Sequence, residues 1–270
     1  QSDSYRRIRN TFRYIIGNLD GFSEEEKISD NNFPELEKYI LHRLWEIDQV
    51  VQECIKTFNF HLMFTTLLNF CSSDLSAFYF DIRKDSIYCD SIKSLKRRSS
   101  RTLLNLIFEH LVRWLAPSLS FTCEEAWKAR GNKTSIHLED FLLTKNQFKN
   151  EEIKNKWSVV KNIRKVITGA IEKKRAEKII GSSLEAHIKI YIRDDLKRII
   201  SDISFDEIAI TSSFEIISTK TSTHHFSLEE IEDVEIEVIK VEGSKCNRCW
   251  KYKDQLINND ICDRCEDAIK

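Results

Sequence analysis

Proline and glycine are scarce in this sequence. Only 2 prolines and 6 glycines occur among 270 residues, so long irregular stretches are disfavoured and helix is favoured. No apolar run approaches the roughly 20 residues that a membrane-spanning helix needs, and no signal peptide opens the chain. We therefore expect a cytoplasmic protein with no membrane partner.

Motifs of catalysis are missing as well. We find no Gly-rich phosphate loop, no nucleophile elbow and no pair of carboxylates at acid–base spacing. The net charge of −1 excludes no partner, but its distribution is uneven. Basic residues cluster in 6–13, 93–101 and 161–178, and acidic residues in 202–237. Such patches suit a protein that presents a basic face to a polyanion, although charge runs also simply solvate helices.

Apolar residues recur at helical spacing through the first 145 residues. The stretches 8–19, 36–54, 64–82 and 103–115 each carry one broad apolar face. Pro117 ends the last of these helices, and Thr122 with Glu125 predicts the capped start of another. The tryptophans on these faces are expected in the core. Four or five amphipathic helices with short links predict a helical bundle.

Beyond the bundle the apolar period changes. A helix is predicted over 151–178, with Gly181 as its C-terminal stop. Apolar residues then alternate in 184–192 and 234–238, which is strand spacing, and 207–211 and 214–218 suggest shorter strands after a helix near 194–203. The predicted fold is mainly α, with a helical domain (1–145), a junction helix and small α+β module (146–242), and a cysteine-rich module (243–270).

The cysteine-rich module predicts a metal site. Four of the eight cysteines stand singly in helix-like segments, whereas two C-x-x-C pairs lie twelve residues apart near the end of the sequence. Two such knuckles can complete a tetrahedron around Zn²⁺, and four thiolates leave no open coordination position. We therefore expect one structural zinc ion rather than disulfides or a catalytic metal, with these ligands: Cys246, Cys249, Cys262 and Cys265.

An arginine and a tryptophan accompany the first knuckle. Trp250 follows the ligand Cys249 directly, in a module too small to bury it fully. It is a candidate platform for stacking an unpaired base, and Arg248 is a candidate for base or phosphate contacts. The residues alone leave another interpretation open, in which Trp250 packs under the loop against Tyr252 as a miniature core.

Five motifs occur in an order that resembles one known family, the isoleucyl-tRNA synthetases of the bacterial type. The resemblance covers nearly the whole chain, is loose only in 201–233, and corresponds to the C-terminal part of those enzymes. It rests on these segments: SYRRIRNTFR (4–13), YFDIRKD (79–85), VRWLAP (112–117), GSSLEA (181–186) and KCNRCW (245–250).

The resemblance implies a fragment that recognises the anticodon arm of isoleucine tRNA. It implies that Trp250 stacks on an anticodon-loop base, that Arg248 contacts the same loop, and that arginines of the first helix touch the RNA, with Arg6, Arg7 and Arg9 as candidates. The complete enzyme would be an ATP- and Mg²⁺-dependent isoleucine–tRNA ligase.

The same resemblance indicates what this chain does not contain. The catalytic signatures HIGH and KMSKS are absent from it, and the chain begins at Gln1 within a helical pattern. We therefore expect a monomeric piece of a longer polypeptide whose catalytic half lies elsewhere. Two other classes stay open: a zinc-containing scaffold that binds a protein or non-specific RNA, and, disfavoured by the closed ligand set, a zinc hydrolase.

Overall fold

The computed structural model describes residues 2–217 and 225–270 and divides the chain into two compact units, Gln1–Ile153 and Lys154–Lys270. Within these described ranges no helix is both long enough and apolar enough to cross a bilayer. The first unit is helical and contains α1 (Ser2–Asn18), α2 (Glu35–Thr57), α3 (Phe60–Asn69), α4 (Asp81–Cys89), α5 (Leu95–Leu115) and α6 (Ser120–Ala129).

The second unit mixes helices and strands. Its long helix α7 (Glu151–Ala176) begins just before the boundary and leads into the sheet strands. The prediction of a mainly α chain is confirmed. The remaining elements are α8 (Asp194–Ile199), α9 (Phe205–Ile208), α10 (Asp263–Ile269), β1 (Ala186–Ile192), β2 (Ser213–Ile217), β3 (Phe226–Leu228), β4 (Ile231–Lys240), β5 (Ser244–Lys245) and β6 (Tyr252–Lys253).

The first unit is built around the apolar faces that the sequence displays. Helix α5 is central, because the side chains of its predicted face and that of Trp114 are fully buried. The apolar run 64–82 is helical as predicted, but between α3 and α4 the chain passes through a wider π-helical stretch, Phe70–Phe80. Trp127 is buried and Trp45 is half-buried. Apolar burial along several helices thus accounts for the bundle.

A charged cluster lies inside this apolar bundle. Glu37 on α2 is fully buried and accepts two hydrogen bonds from Arg83 on α4, at 2.5 and 2.7 Å. Tyr79 and Ser100 donate to the same carboxylate at 3.0 and 3.2 Å. No local pattern predicts this pair, because in sequence Glu37 has the position of an ordinary first-turn acid. Four hydrogen bonds satisfy a charge that would otherwise be costly to bury.

The sheet of the second unit has the order β2-β1-β4-β3. Strand β1 pairs in parallel with β2 and antiparallel with β4, so that Ile188 lies between Phe214 and Val238. The alternation in β1 places Ala186, Ile188 and Ile190 in the core. Helix α7 approaches the sheet closely at Gly169, where a Cβ atom would come within 2.7 Å of the Phe226 ring.

The strand predicted over 207–211 is wrong. Its first two residues instead belong to the short helix α9, which buries Phe205 and Ile208, and Ile210 just beyond the helix has a left-handed φ of 58°. Acidic Asp206 and Glu207 in its first turn favour a helix N-terminus over a strand. Helix α8 stops at Ile199, earlier than 203, and β2 matches the other predicted strand, whose last residue lies outside the described residues.

Two predicted helix boundaries are also corrected. The left-handed residue after α7 is Lys178, at φ 59°, and Ile179 N donates to Lys174 O in the six-residue closure of a Schellman motif. Gly181 therefore lies beyond the stop. Helix α6 begins at Ser120 with Leu119 at its N-cap position, so that Thr122 is inside the helix and makes no capping box. Thr122 instead hydrogen-bonds Tyr5.

Candidate metal centre and nucleic-acid interface

The four predicted ligands converge at one point. Cys246 and Cys249 lie between β5 and β6, Cys262 immediately precedes α10, and Cys265 lies in its first turn. Their Sγ atoms all lie within 4.8 Å of one another, and those of Cys249 and Cys262 are 3.7 Å apart. A tetrahedral ion with metal–sulfur bonds of about 2.3 Å requires sulfurs about 3.8 Å apart. None of the four forms a disulfide, and the cluster fits a thiophilic metal ion.

These cysteines are also the interior of their module. Between residues 243 and 270 they are the only buried residues, and the apolar side chains there are at most half-buried. An ordinary domain of this size buries apolar side chains to offset the loss of chain entropy. Here the cysteine cluster takes the place of a hydrophobic core, an arrangement that is typical of small modules stabilised by a metal ion.

Backbone N–H groups stabilise the thiolate form of Cys246. Burial by itself would raise the pKa of Cys246, but backbone hydrogen bonds from Cys249, Cys262 and Arg248 outweigh it and lower that pKa to about 6. One of them is the Cys262 N–H, 3.3 Å from Cys246 Sγ. At Cys249 burial prevails and raises the pKa. The knuckle geometry therefore favours a thiolate at Cys246, which is the form in which a cysteine binds a metal ion.

The first knuckle closes into a hairpin that points Trp250 outward. Trp250 N donates to Cys246 O at 2.9 Å, and Cys246 N donates to Lys251 O at 3.0 Å. Trp250 itself has a left-handed φ of 64°, an uncommon backbone conformation for a bulky residue. Its indole is 58% exposed. An indole this exposed is not the buried centre of a miniature core against Tyr252.

The residues after Trp250 fix the hairpin to the rest of the second unit. Lys251 Nζ lies 2.8 Å from Asp206 Oδ2, and Tyr252 N donates to Ser212 Oγ at 2.7 Å. Ser212 in turn donates to Leu184 O at 2.5 Å. Sequence reasoning missed these contacts because no local pattern links residues forty positions apart.

Arg248 lies between the metal cluster and the surface. It is half-buried, and its side chain hydrogen-bonds Cys265, whose pKa burial raises and this bond lowers in part. The guanidinium therefore faces a ligand sulfur in this structure. A planar group with five donors can keep one bond to sulfur and still offer others outward.

The arginines predicted on the first helix are exposed or half-buried and form ion pairs. Arg6 and Arg7 both contact Asp3, at 2.5 and 2.7 Å, while Arg9 forms a two-pronged pair with Glu125 of α6 at 2.8 and 2.9 Å. Surface pairs of this kind contribute little stability and exchange readily with solvent or another anion. The structure places the three on one helix of the first unit, and the cysteine cluster belongs to the second unit.

The basic cluster at 93–101 is partly structural. Arg97 donates to Asp90 O, Arg98 to Glu25 O and Glu26 O, and Arg101 to Asp20 O. These arginines hold irregular segments against α5 and are not simply a free basic face. A run of cations in sequence does not reveal this use, because three of the four accepting carbonyls lie more than 70 positions earlier in the chain.

The fold and the site together define the class: a mainly helical protein that carries a candidate metal-stapled hairpin with an exposed tryptophan. The sequence profile of the anticodon-binding domain of tRNA ligases matches residues 37–190. The chain therefore belongs to the family of anticodon-binding domains of tRNA ligases. The matched segment contains most of the helical bundle, α7 and the first sheet strand.

Relatives in three bacteria are similar along almost the entire chain. The isoleucine–tRNA ligase of Pelagibacter ubique is 45% identical over 98% of this chain, that of Zymomonas mobilis 40% over 99%, and that of Bartonella henselae 44% over 94%. The chain spans 28%, 28% and 26% of the length of these relatives. The similarity extends through the cysteine module, which lies outside the profile match.

Proposed function

We propose that this chain recognises the anticodon arm of isoleucine tRNA on behalf of a longer isoleucine–tRNA ligase. Membership of the anticodon-binding family and the three relatives support a tRNA ligand. The observation that carries the proposal is the exposed indole of Trp250 on a hairpin whose interior is the cysteine cluster. A rigid, exposed aromatic ring is what an unpaired loop base requires for stacking.

The proposal assigns one structural Zn²⁺ to Cys246, Cys249, Cys262 and Cys265. The sulfur separations and the closed set of four thiols support zinc, which binds such sets tetrahedrally. When bound, the ion supplies a cross-link that replaces a hydrophobic core. The chain's own groups recognise the RNA. Trp250 stacks on a base of the anticodon loop. Arg248 keeps its hydrogen bond to Cys265 and donates further hydrogen bonds to the anticodon loop.

The arginines of α1 supply a second, less specific contact. Arg6 and Arg7 are exposed and share a single carboxylate, Asp3, so that one positive charge is left over for a phosphate. Arg9 must leave Glu125 to contact RNA. Contacts of this kind position the RNA and make its affinity salt-dependent without reading sequence.

Aminoacylation itself is assigned to the catalytic half of the polypeptide, which would bind ATP and Mg²⁺. In that half the amino acid is chosen, and the present chain contributes affinity and anticodon discrimination. We propose that the protein acts as a monomer in the cytoplasm. The predicted division into 1–145, 146–242 and 243–270 then separates arm binding, connection and loop reading.

The test is binding of the zinc-loaded chain to isoleucine tRNA and to the same tRNA with an exchanged anticodon, at one fixed salt concentration. We expect preference for the native anticodon and its loss in Trp250→Ala, because stacking on an aromatic ring is worth about 1–3 kcal/mol per base. The matched control is Tyr88→Ala, since Tyr88 is also 58% exposed. Equal, weak binding of both RNAs by the wild-type chain would favour the scaffold alternative.

A further inference from the structure

A lysine lies over the indole ring that the proposed function uses. The ammonium nitrogen of Lys245 is 5.2 Å from the centroid of the Trp250 ring. A cation over an aromatic face is attracted by the negative charge of the π system. Both side chains are exposed, so this contact stands at the surface of the hairpin rather than in its interior.

The backbone explains why these two residues meet. Lys245 is the last residue of β5 and pairs with Tyr252 of β6, while Trp250 lies in the knuckle that these strands enclose. Gly243, at φ 124°, starts the hairpin where a Cβ atom would come within 2.6 Å of Lys253 O. The hairpin backbone thus fixes the Cα positions from which the Lys245 and Trp250 side chains extend.

Lys245 forms no ion pair with any carboxylate in residues 2–217 and 225–270. The neighbouring Lys251 differs, because it is half-buried and pairs with Asp206 at 2.8 Å. A cation whose partner is an aromatic face keeps its full charge for an anionic ligand.

We propose that Lys245 is a further RNA-contacting residue that works together with Trp250, which rests on the proposed function. Its ammonium covers one face of the indole, so that a single base stacks on the opposite face. The strand carrying that base must pass the edge of the ring, and Lys245 binds the phosphate of the adjoining nucleotide there. Trp250 then contributes base stacking, and Lys245 contributes a sequence-independent charge contact held in place by the ring.

The experiment measures affinity for a synthetic hairpin of the isoleucine tRNA anticodon arm at several salt concentrations. The variants of the zinc-loaded chain are Lys245→Met, which keeps the length of the side chain, and Lys245→Arg, which keeps its charge. Lys253→Met is the control, because Lys253 is exposed on the opposite strand of the same hairpin. We expect the slope of log affinity against log salt to become shallower by about 0.7 in Lys245→Met, the loss of one single-strand phosphate contact.

In Lys245→Arg and Lys253→Met the slope should stay at the wild-type value, and Lys245→Met should retain the anticodon preference. Combining Lys245→Met with Trp250→Ala tests the joint action: without the ring, removal of the lysine charge should no longer change the slope. An unchanged slope in Lys245→Met, an equal change in Lys253→Met, or tighter binding in Lys245→Met would overturn the inference.

The outcomes separate this inference from the function on which it rests. If the wild-type chain discriminates anticodons and Trp250→Ala loses that ability while Lys245→Met keeps the wild-type slope, only the role of Lys245 is wrong. If the wild-type chain binds native and exchanged hairpins equally, both proposals are wrong.

Discussion

The helical bundle and the cysteine hairpin keep water out of their interiors by opposite means. In the bundle, apolar side chains from several helices surround one satisfied ion pair, Glu37 with Arg83. In the cysteine-rich module (243–270), which contains the hairpin, the four cysteines are the only buried residues. The bundle is therefore held by many weak contacts, whereas the module has no apolar interior and, under the proposed function, depends on one bound ion.

The largest effect is expected from removing the metal ion, which should unfold the cysteine-rich module and leave the helical bundle folded. A strong chelator, or Cys262→Ser, should unfold residues 244–265 and leave the bundle folded, because structural zinc contributes about 10–16 kcal/mol in small modules. Hydrogen exchange would show the amides of 244–265 unprotected and those of α5 unchanged. The control is Cys123→Ser, a buried cysteine of α6 outside the cluster. Retained protection of the hairpin after chelation would contradict the assignment.

A smaller effect should follow from breaking the ion pair in the bundle. Glu37→Leu removes the carboxylate that pairs with the buried Arg83, and removing one partner of a buried pair costs about 3–5 kcal/mol. Urea unfolding followed by helical circular dichroism should show this loss. The double variant Glu37→Leu with Arg83→Met should recover most of it, because no charge then stays buried. If the double variant is as unstable as the single one, the pair contributes more than the satisfaction of its own charges.

The smallest predicted effect is a pH dependence of the bundle. Burial lowers the pKa of His110, whose Nδ1 hydrogen-bonds Leu106 O at 2.9 Å. Below about pH 6.5 His110 therefore binds a proton more readily in the unfolded chain than in the folded bundle. The free energy of unfolding then falls as the pH decreases from 7 to 5. His110→Leu should make the helical unfolding free energy flatter across this range. A wild-type bundle with no such slope would show that His110 is protonated in place.

Regular patterns made most of the fold predictable. The apolar faces of 36–54 and 103–115 correspond to α2 and α5, and the alternation in 184–192 to β1. The predictions were wrong where a local sequence pattern was outweighed by another interaction in the folded chain. The end of α7 is set by Lys178 in a left-handed conformation, although the glycine at 181 carries the smaller conformational penalty. The segment 207–211 contains enough β-branched residues for a strand, yet its flanking acids and buried Phe205 favour α9.

The candidate site was predictable only where its spacing is local. Two C-x-x-C pairs are visible in sequence, and the structure brings all four sulfurs together. The placement of Trp250 relative to Lys245 depends on the pairing of β5 with β6. These strands have two residues each and are too short to show an alternating pattern in sequence. The docking of Lys251 on Asp206 and of Tyr252 on Ser212 depends on contacts forty residues apart.

In the cysteine-rich module, the residues that form the interior are different from the residues that are proposed to contact RNA. Substitutions at Asn247, Arg248, Trp250 or Lys245 remove no buried apolar contact, because these residues surround a core that consists of sulfur. In the bundle, by contrast, most changes on an inward face leave a cavity or an unpaired charge. Residues at these surface positions can therefore change at little cost in stability, and under the proposed function they are the positions at which the preference for an RNA can change most easily.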